Sequence, residues 1–215
     1  MKKSAPGQNR KKDYPASDTP RKPQRKARRA AVIDAAAAVF AEKGYHGAST
    51  KDIAQRLGIQ QGSLYYYFDS KEAALQEVCE RGMAAFLDGL KRIAARDSAI
   101  DQKIADAVAN HLSPLRTIQP YVRVFLRDRS ALSKSRRGAI RAMITEYEAL
   151  LEGILRTAVA AGELPASLDC RMATLALIGM CNAAATWYGR ETEAPLERII
   201  QCFSSLAIGG VHRPG

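Results

Sequence analysis

The chain has 215 residues, 47% of them hydrophobic, 26% charged and 7% aromatic, with a formal net charge of +11. That length admits one small module and one larger one, and that composition excludes disorder throughout. The charge is concentrated at one end: residues 1–29 hold eleven Lys and Arg against two Asp, so nine of the net positive charges sit there.

Residues 1–26 carry Pro6, Pro15, Pro20 and Pro23 and almost no large apolar side chain. Such a segment cannot bury enough surface to fold alone, and a disordered basic tail is predicted. It is either a solvated extension or an arm that adds phosphate contacts beside a DNA-binding unit, where counterion release makes binding salt-dependent. From Ala27 onward Val32, Ile33, Ala36, Val39 and Phe40 recur three and four apart, which predicts a helix capped by Gly44. Ser49 with Asp52 three residues later reads as a capping box that opens a second helix bearing Ile53, Ala54 and Leu57 and ending at Gly58. Ile59 is then expected to plug the core, and a short helix follows with Leu64 and Phe68 inward. Two short helices joined by a glycine-containing turn form a helix-turn-helix over residues 49–68.

Ser70 caps the next helix, with Glu72 in its first turn and Leu75, Val78, Ala85, Phe86 and Leu90 carrying it to about Ala95. Ser98 and Asp101 start another, and Pro114 and Pro120 cut off a shorter piece over 121–131. The run Ile140, Met143, Ile144, Tyr147, Leu150, Leu151, Ile154, Leu155, Ala158 predicts a long amphipathic helix stopped by Gly162 and Pro165. Two apolar helices over 169–188 and 195–208 close the chain. Nothing alternates with a strand period, so an all-α fold of about nine helices is predicted. The division is a tail (1–26), a helix-turn-helix unit (27–70) and a ligand-binding and dimerisation unit (71–215).

Residues 28–72 resemble the DNA-binding domain of the TetR/AcrR family of repressors. The resemblance is carried by Val39-Phe40-Ala41-Glu42-Lys43-Gly44-Tyr45, Ser49-Thr50-Lys51-Asp52-Ile53-Ala54, Gly58-Ile59, Gly62-Ser63-Leu64-Tyr65-Tyr66-Tyr67-Phe68 and Ser70-Lys71-Glu72. It implies that Ser49, Thr50 and Lys51 touch backbone phosphates of double-stranded DNA. It further implies that Gln60, Gln61, Gly62 and Ser63 lie in or at the major groove, that Tyr65 and Tyr66 contact phosphate or bases, and that Lys71 anchors a phosphate. The residue types suit these roles. A glycine in the first turn of a reading helix lets backbone N–H groups approach phosphate, and Gln61 can bond adenine bidentately. Three consecutive helical tyrosines cannot all be core, so two of Tyr65, Tyr66 and Tyr67 must face outward. Gln60 departs from the Ser or Thr common at that position and weakens the N-cap. The resemblance also implies a homodimer through the last two helices, which sets two reading helices about one DNA turn apart over a palindromic operator.

Arg123 and Arg127, four apart, and the run Trp187-Tyr188-Gly189-Arg190, together with Gly162-Glu163-Leu164 and Asn182, resemble the branch of the family that senses acyl-CoA thioesters. Arginine forks suit CoA phosphates, and Met143, Tyr147 and Met180 would line an apolar channel for the acyl chain. A solvated helix face is the plain alternative for the two arginines. A lipophilic cation is the rival effector, with Glu148 as the carboxylate it would need. His46, His111 and His212 lie far apart, with no nucleophile motif, glycine-rich phosphate loop or paired carboxylates, which excludes an enzyme. A non-specific nucleic-acid binder driven by the basic tail is a further alternative. Cys79, Cys170, Cys181 and Cys202 form no CxxC pair, so no metal, cofactor or disulfide framework is expected, and a cytoplasmic location with reduced thiols is the reading. Residues 172–188 fall short of a membrane span.

Overall fold

The computed structural model describes residues 22–189 and 193–213. They form ten α-helical segments and no strand: α1 (Lys22–Gly47), α2 (Thr50–Leu57), α3 (Gln61–Leu64), α4 (Lys71–Ala94), α5 (Ile100–Leu112), α6 (Pro114–Thr117), α7 (Gln119–Asp128), α8 (Lys134–Ala160), α9 (Cys170–Trp187) and α10 (Leu196–His212), with a 3₁₀ turn at Arg129–Ala131. The all-helical expectation holds, and the element beyond the expected nine is α6, a single turn that Pro114 opens and that ends just before Pro120. Helix α1 starts at Lys22, five residues ahead of the predicted start, while residues 1–21 of the basic tail lie outside the described residues.

Local chemistry sets most helix ends. At α2 the predicted capping box is present: Ser49 Oγ accepts from the Asp52 N–H at 3.2 Å, and Asp52 accepts from the Ser49 N–H at 2.8 Å. Gly58 closes α2 with φ 65°, ψ 30°, a left-handed turn that glycine adopts without strain. Two expectations need correction. Ile59 donates its N–H back to the Ala54 carbonyl, and this turn leaves its side chain exposed rather than plugging the core. Helix α5 takes no cap from Ser98; Glu163, from the α8 to α9 connection, accepts from the Ile100 N–H at 3.3 Å instead.

Helix α4 is the axle of the fold. It packs against α1 at its start and against α5, α7 and α8 along its length, burying Leu75, Val78, Met83, Phe86, Leu87, Leu90 and Ile93. Burial of that many large side chains, each contributing about 1.5–3 kcal/mol, is why this helix holds the reading end to the body. At Gly89 the neighbouring α5 comes so close that a Cβ would lie 1.7 Å from Asn110 Oδ1, and Asn110 Nδ2 donates to the Phe86 carbonyl at 2.9 Å. Gly89→Ala must therefore push the Asn110 amide off its partner, and a loss of about 1–3 kcal/mol in stability, read as a lower midpoint in urea at unchanged slope, is the expected outcome.

Candidate nucleic-acid interface and effector cavity

Helices α2 and α3 present one continuous outer surface. Ile53, Ala54, Leu64 and Phe68 are buried beneath it, while Ser49, Lys51, Gln60, Gln61 and Gly62 are exposed and Thr50 and Ser63 are half-buried. Tyr65 is 55% exposed and Tyr66 86%, whereas Tyr67 is half-buried and its carbonyl accepts from Arg29 at 2.6 Å. Two of the three tyrosines thus face outward as expected. Nothing within the chain demands glycine at 62, since a Cβ there would meet no atom within 4 Å. The regular part of α3 is only four residues long, and the chain continues as a hydrogen-bonded turn to Phe68.

Three contacts stiffen this surface. Asp52 accepts from Lys43 Nζ at 2.6 Å as well as from Ser49, and the Lys43 ammonium first, then the Ser49 donors, hold its carboxyl far below the usual carboxylate range. Gln61 Nε2 donates to Thr50 Oγ1 at 2.8 Å, so the candidate base reader is parked against the start of α2. Gln60 makes no side-chain cap, in line with its departure from Ser or Thr. Lys71 points inward: its ammonium donates to the carbonyls of Tyr45 (2.9 Å) and Ala48 (2.8 Å) and lies 4.5 Å from the Tyr45 ring centroid. At most one of its three N–H groups is left for a phosphate.

Behind this surface the body encloses a cavity of about 150 Å³. Met83 and Phe86 of α4, His111 of α5, Val122, Phe125 and Leu126 of α7, Arg129 of the 3₁₀ turn, Tyr147 and Glu148 of α8 and Cys181 and Asn182 of α9 contribute to its wall. Of the six expected effector residues that are described, only Tyr147 lies there. Arg123 and Arg127 sit on α7 outside the wall. Met143 faces a separate charged groove between α4 and α8, and Met180 lies in a surface groove between α9 and α10. Trp187 packs edge-on against Phe203 at 6.1 Å, and Arg190 lies outside the described residues. For the two arginines the physical reason is rotational: Val122, Phe125 and Leu126 share the inward face of α7, continued by Arg129 in the 3₁₀ turn, which turns positions 123 and 127 away.

Arg127 has a different task. Its guanidinium is held by both carboxylate oxygens of the buried Asp128, at 3.0 and 2.9 Å, and donates to the Phe40 carbonyl at 2.5 Å and the Ala41 carbonyl at 3.4 Å. It thereby caps α1 just before the chain breaks from helical geometry at Gly44 (φ 75°, ψ 158°). Tyr121, also on α7, donates to Asp34 of α1 at 2.5 Å.

Within the cavity wall, His111 Nδ1 lies 3.0 Å from the Tyr147 hydroxyl and Nε2 3.1 Å from Asn182 Oδ1. Its ring also packs against Phe86 at 5.1 Å. Burial pushes its pKa down to about 4, so the imidazole is neutral at physiological pH. Burial likewise pushes the Cys181 thiol up to about 12, so it is not a nucleophile near neutrality. Glu148 is paired with Arg171 at 2.7 Å. His111 and Asn182 were beyond reach of sequence periodicity as cavity residues, because they come from helices far apart in the chain.

A tyrosine-bearing helix-turn-helix fused to a helical body with an internal cavity is the build of a DNA-binding regulator. Residues 32–78 match the bacterial regulatory proteins of the tetR family, and residues 97–211 match the tetracyclin repressor-like C-terminal domain. The chain belongs to the TetR family of transcription regulators. It is 26% identical over 182 residues to the fatty acid metabolism regulator protein of Bacillus subtilis (strain 168), covering 84% of this chain and 94% of that relative. It is 27% identical over 207 residues to the HTH-type transcriptional repressor KstR2 of Rhodococcus jostii (strain RHA1), covering 93% and 97%. Among solved structures, the fatty acid degradation regulator FadR from Bacillus halodurans shares the fold with a TM-score of 0.75 at 26% identity, over 86% of this chain and 97% of that one. Among the described residues no helix is long and apolar enough to cross a membrane.

The neutral His111 has a consequence for stability. Its imidazole takes up a proton near 6.5 in the unfolded chain but only near 4 in the fold, so between those values the unfolded state binds more protons. Stability is therefore undiminished by this group above pH 6.5 and is lost as pH falls toward 4, by on the order of 3 kcal/mol. The melting temperature is expected to drop between pH 7 and 4.5, and to drop less in His111→Phe.

Proposed function

We propose that this regulator is a repressor that binds a palindromic operator as a homodimer and leaves it when an acyl-CoA thioester enters the cavity. The observation that carries the reading is that α7 is shared: its inner face is cavity wall, and its outer face holds α1 through Arg127 and Tyr121. The names of the relatives in fatty acid metabolism support the effector class. A cavity of about 150 Å³ takes a benzene-sized body, hence a short acyl group, and a longer one requires α7 to move outward. An effector that fits only the displaced state shifts the equilibrium, because it binds the two states unequally.

On the operator, Ser49, Thr50 and Lys51 would meet phosphates, Gln61 would leave Thr50 to read a base edge, Gly62 and Ser63 would approach the backbone closely, and Tyr65 and Tyr66 would pack on phosphate and sugar. Gln60 stands at the groove edge, and Lys71 contributes its remaining donor. Dimerisation is supported by exposed Met172 and Leu206, each 60% exposed, and Leu175 on α9 and α10, a face that two copies would cover as a four-helix interface. The rival effector, a lipophilic cation, needs a free carboxylate, and Glu148 is neutralised by Arg171.

Selection from a random DNA pool tests the reading: an inverted repeat should be recovered, Tyr66→Ala should bind it about tenfold more weakly, and butyryl-CoA should lower affinity in fluorescence anisotropy. Recovery of a single half-site, or affinity unchanged across the titration with both butyryl-CoA and palmitoyl-CoA, would overturn it. In Arg127→Met the link between cavity and α1 is cut, so butyryl-CoA should still bind, by calorimetry, while its effect on operator affinity shrinks about tenfold.

A further inference from the structure

Beside the charged Arg129 and Glu148, the cavity wall holds three neutral polar side chains, His111, Tyr147 and Asn182, that a plain hydrocarbon ligand has no use for. They form a directed chain. An amide oxygen only accepts, so His111 Nε2 carries the proton donated to Asn182 Oδ1, and Nδ1, left as an acceptor, receives the Tyr147 O–H. The far end is held by ring packing, since the His111 ring lies 5.1 Å from Phe86 and 5.7 Å from Tyr147. The near end is open. The Asn182 amide nitrogen, a double donor, has no hydrogen-bond partner among the described residues, and Asn182 keeps accessible surface in the cavity wall. A donor fixed in orientation and left unpaired at an apolar cavity invites an acceptor on the ligand.

We propose that Asn182 reads the acyl carbonyl oxygen of the effector, with His111 and Tyr147 as positioning residues that hold its amide N–H toward the cavity. The inference rests on the acyl thioester reading above and adds the group that is recognised. A neutral amide donor beside a neutral imidazole matches an uncharged carbonyl oxygen, and the surrounding Phe86, Ile178, Cys181 and Ala185 match the carbon and sulfur on either side of it. A donor that a bound ligand would seal from water without offering an acceptor discriminates against that ligand.

The test is calorimetric titration of the full chain with butyryl-CoA and with S-butyl-CoA, a thioether of the same length in which CH₂ replaces the carbonyl. The thioester is expected to bind about tenfold or more tightly. In Asn182→Leu, close to isosteric, the ratio of the two affinities should fall to about one, and in Tyr147→Phe, which removes only the hydroxyl that orders His111, it should fall part of the way. The ratio is decisive because a damaged fold or a reshaped cavity weakens both ligands alike. Equal binding of the two compounds by the unaltered chain, or a ratio that survives Asn182→Leu, overturns the role of Asn182 and leaves the acyl thioester reading standing. A ratio untouched by Tyr147→Phe overturns the positioning role, and binding of neither compound overturns both this inference and the reading beneath it.

Discussion

The molecule is organised around the broken end of α1. At Gly44 the helix leaves regular geometry, and helix ends strand carbonyl groups that no intrahelical N–H can reach. Two cations from different parts of the chain converge there: Arg127 of α7 bonds the Phe40 and Ala41 carbonyls before the break, and Lys71 of α4 bonds those of Tyr45 and Ala48 after it. The reading surface is hung from this junction. Arg29 adds a third tie, bonding the Tyr67 carbonyl and, through 3.2 and 2.5 Å contacts, Glu77 of α4. The helix-turn-helix is therefore fixed to the body by directional hydrogen bonds to backbone carbonyls as well as by the continuous apolar core that α1 and α4 share.

This arrangement changes what two basic residues mean. On sequence alone Lys71 reads as a phosphate anchor and Arg127 as a fork for CoA, since exposed cations beside a DNA-binding motif or an apolar helix suggest anions. In the fold both donate to backbone carbonyls at the end of α1, Lys71 keeping at most one N–H for a phosphate, and Arg127 is further pinned by Asp128. The cation on the cavity wall is Arg129, which bonds the Phe125 and Leu126 carbonyls and lies over the Phe125 ring at 5.1 Å. A helical wheel of α7 does contain this information: 122, 125, 126 and 129 lie on one side. What it does not contain is which side faces inward, because the opposite side packs too, against α1.

The same distinction governs how much of the molecule was legible in advance. The helix-turn-helix was, because Ser49, Asp52 and Gly58 act within a few residues of themselves and the buried set of Ile53, Leu64 and Phe68 is periodic. Ile59 was misread because its burial depends on the hand of the turn after Gly58, not on its own hydrophobicity. The cavity was scarcely legible at all. His111, Tyr147 and Asn182 come from three helices and meet only when α5, α8 and α9 are packed, so no local spacing announces them. Met143 and Met180 illustrate the converse: each lies on an apolar-rich helix with more than one buried face, and apolarity alone does not say which face meets the cavity.

The energy at the α1 junction is of the right size for regulation. A hydrogen bond from a charged donor contributes about 1.5–3 kcal/mol, and Arg127 makes two to part-buried carbonyls of α1. Allosteric couplings are typically about 1–3 kcal/mol, enough for a change of five- to 150-fold in affinity. A displacement of α7 that loosened a single one of these bonds would thus suffice to shift the poise of the reading surface, with no long chain of intermediates. The requirement is only that the ligand press on the inner face of α7, and Val122, Phe125 and Leu126 present that face to the cavity. Since positions 126 and 127 are consecutive on α7, in the proposed mechanism the residue at the cavity wall and the residue that holds α1 stand side by side on one helix.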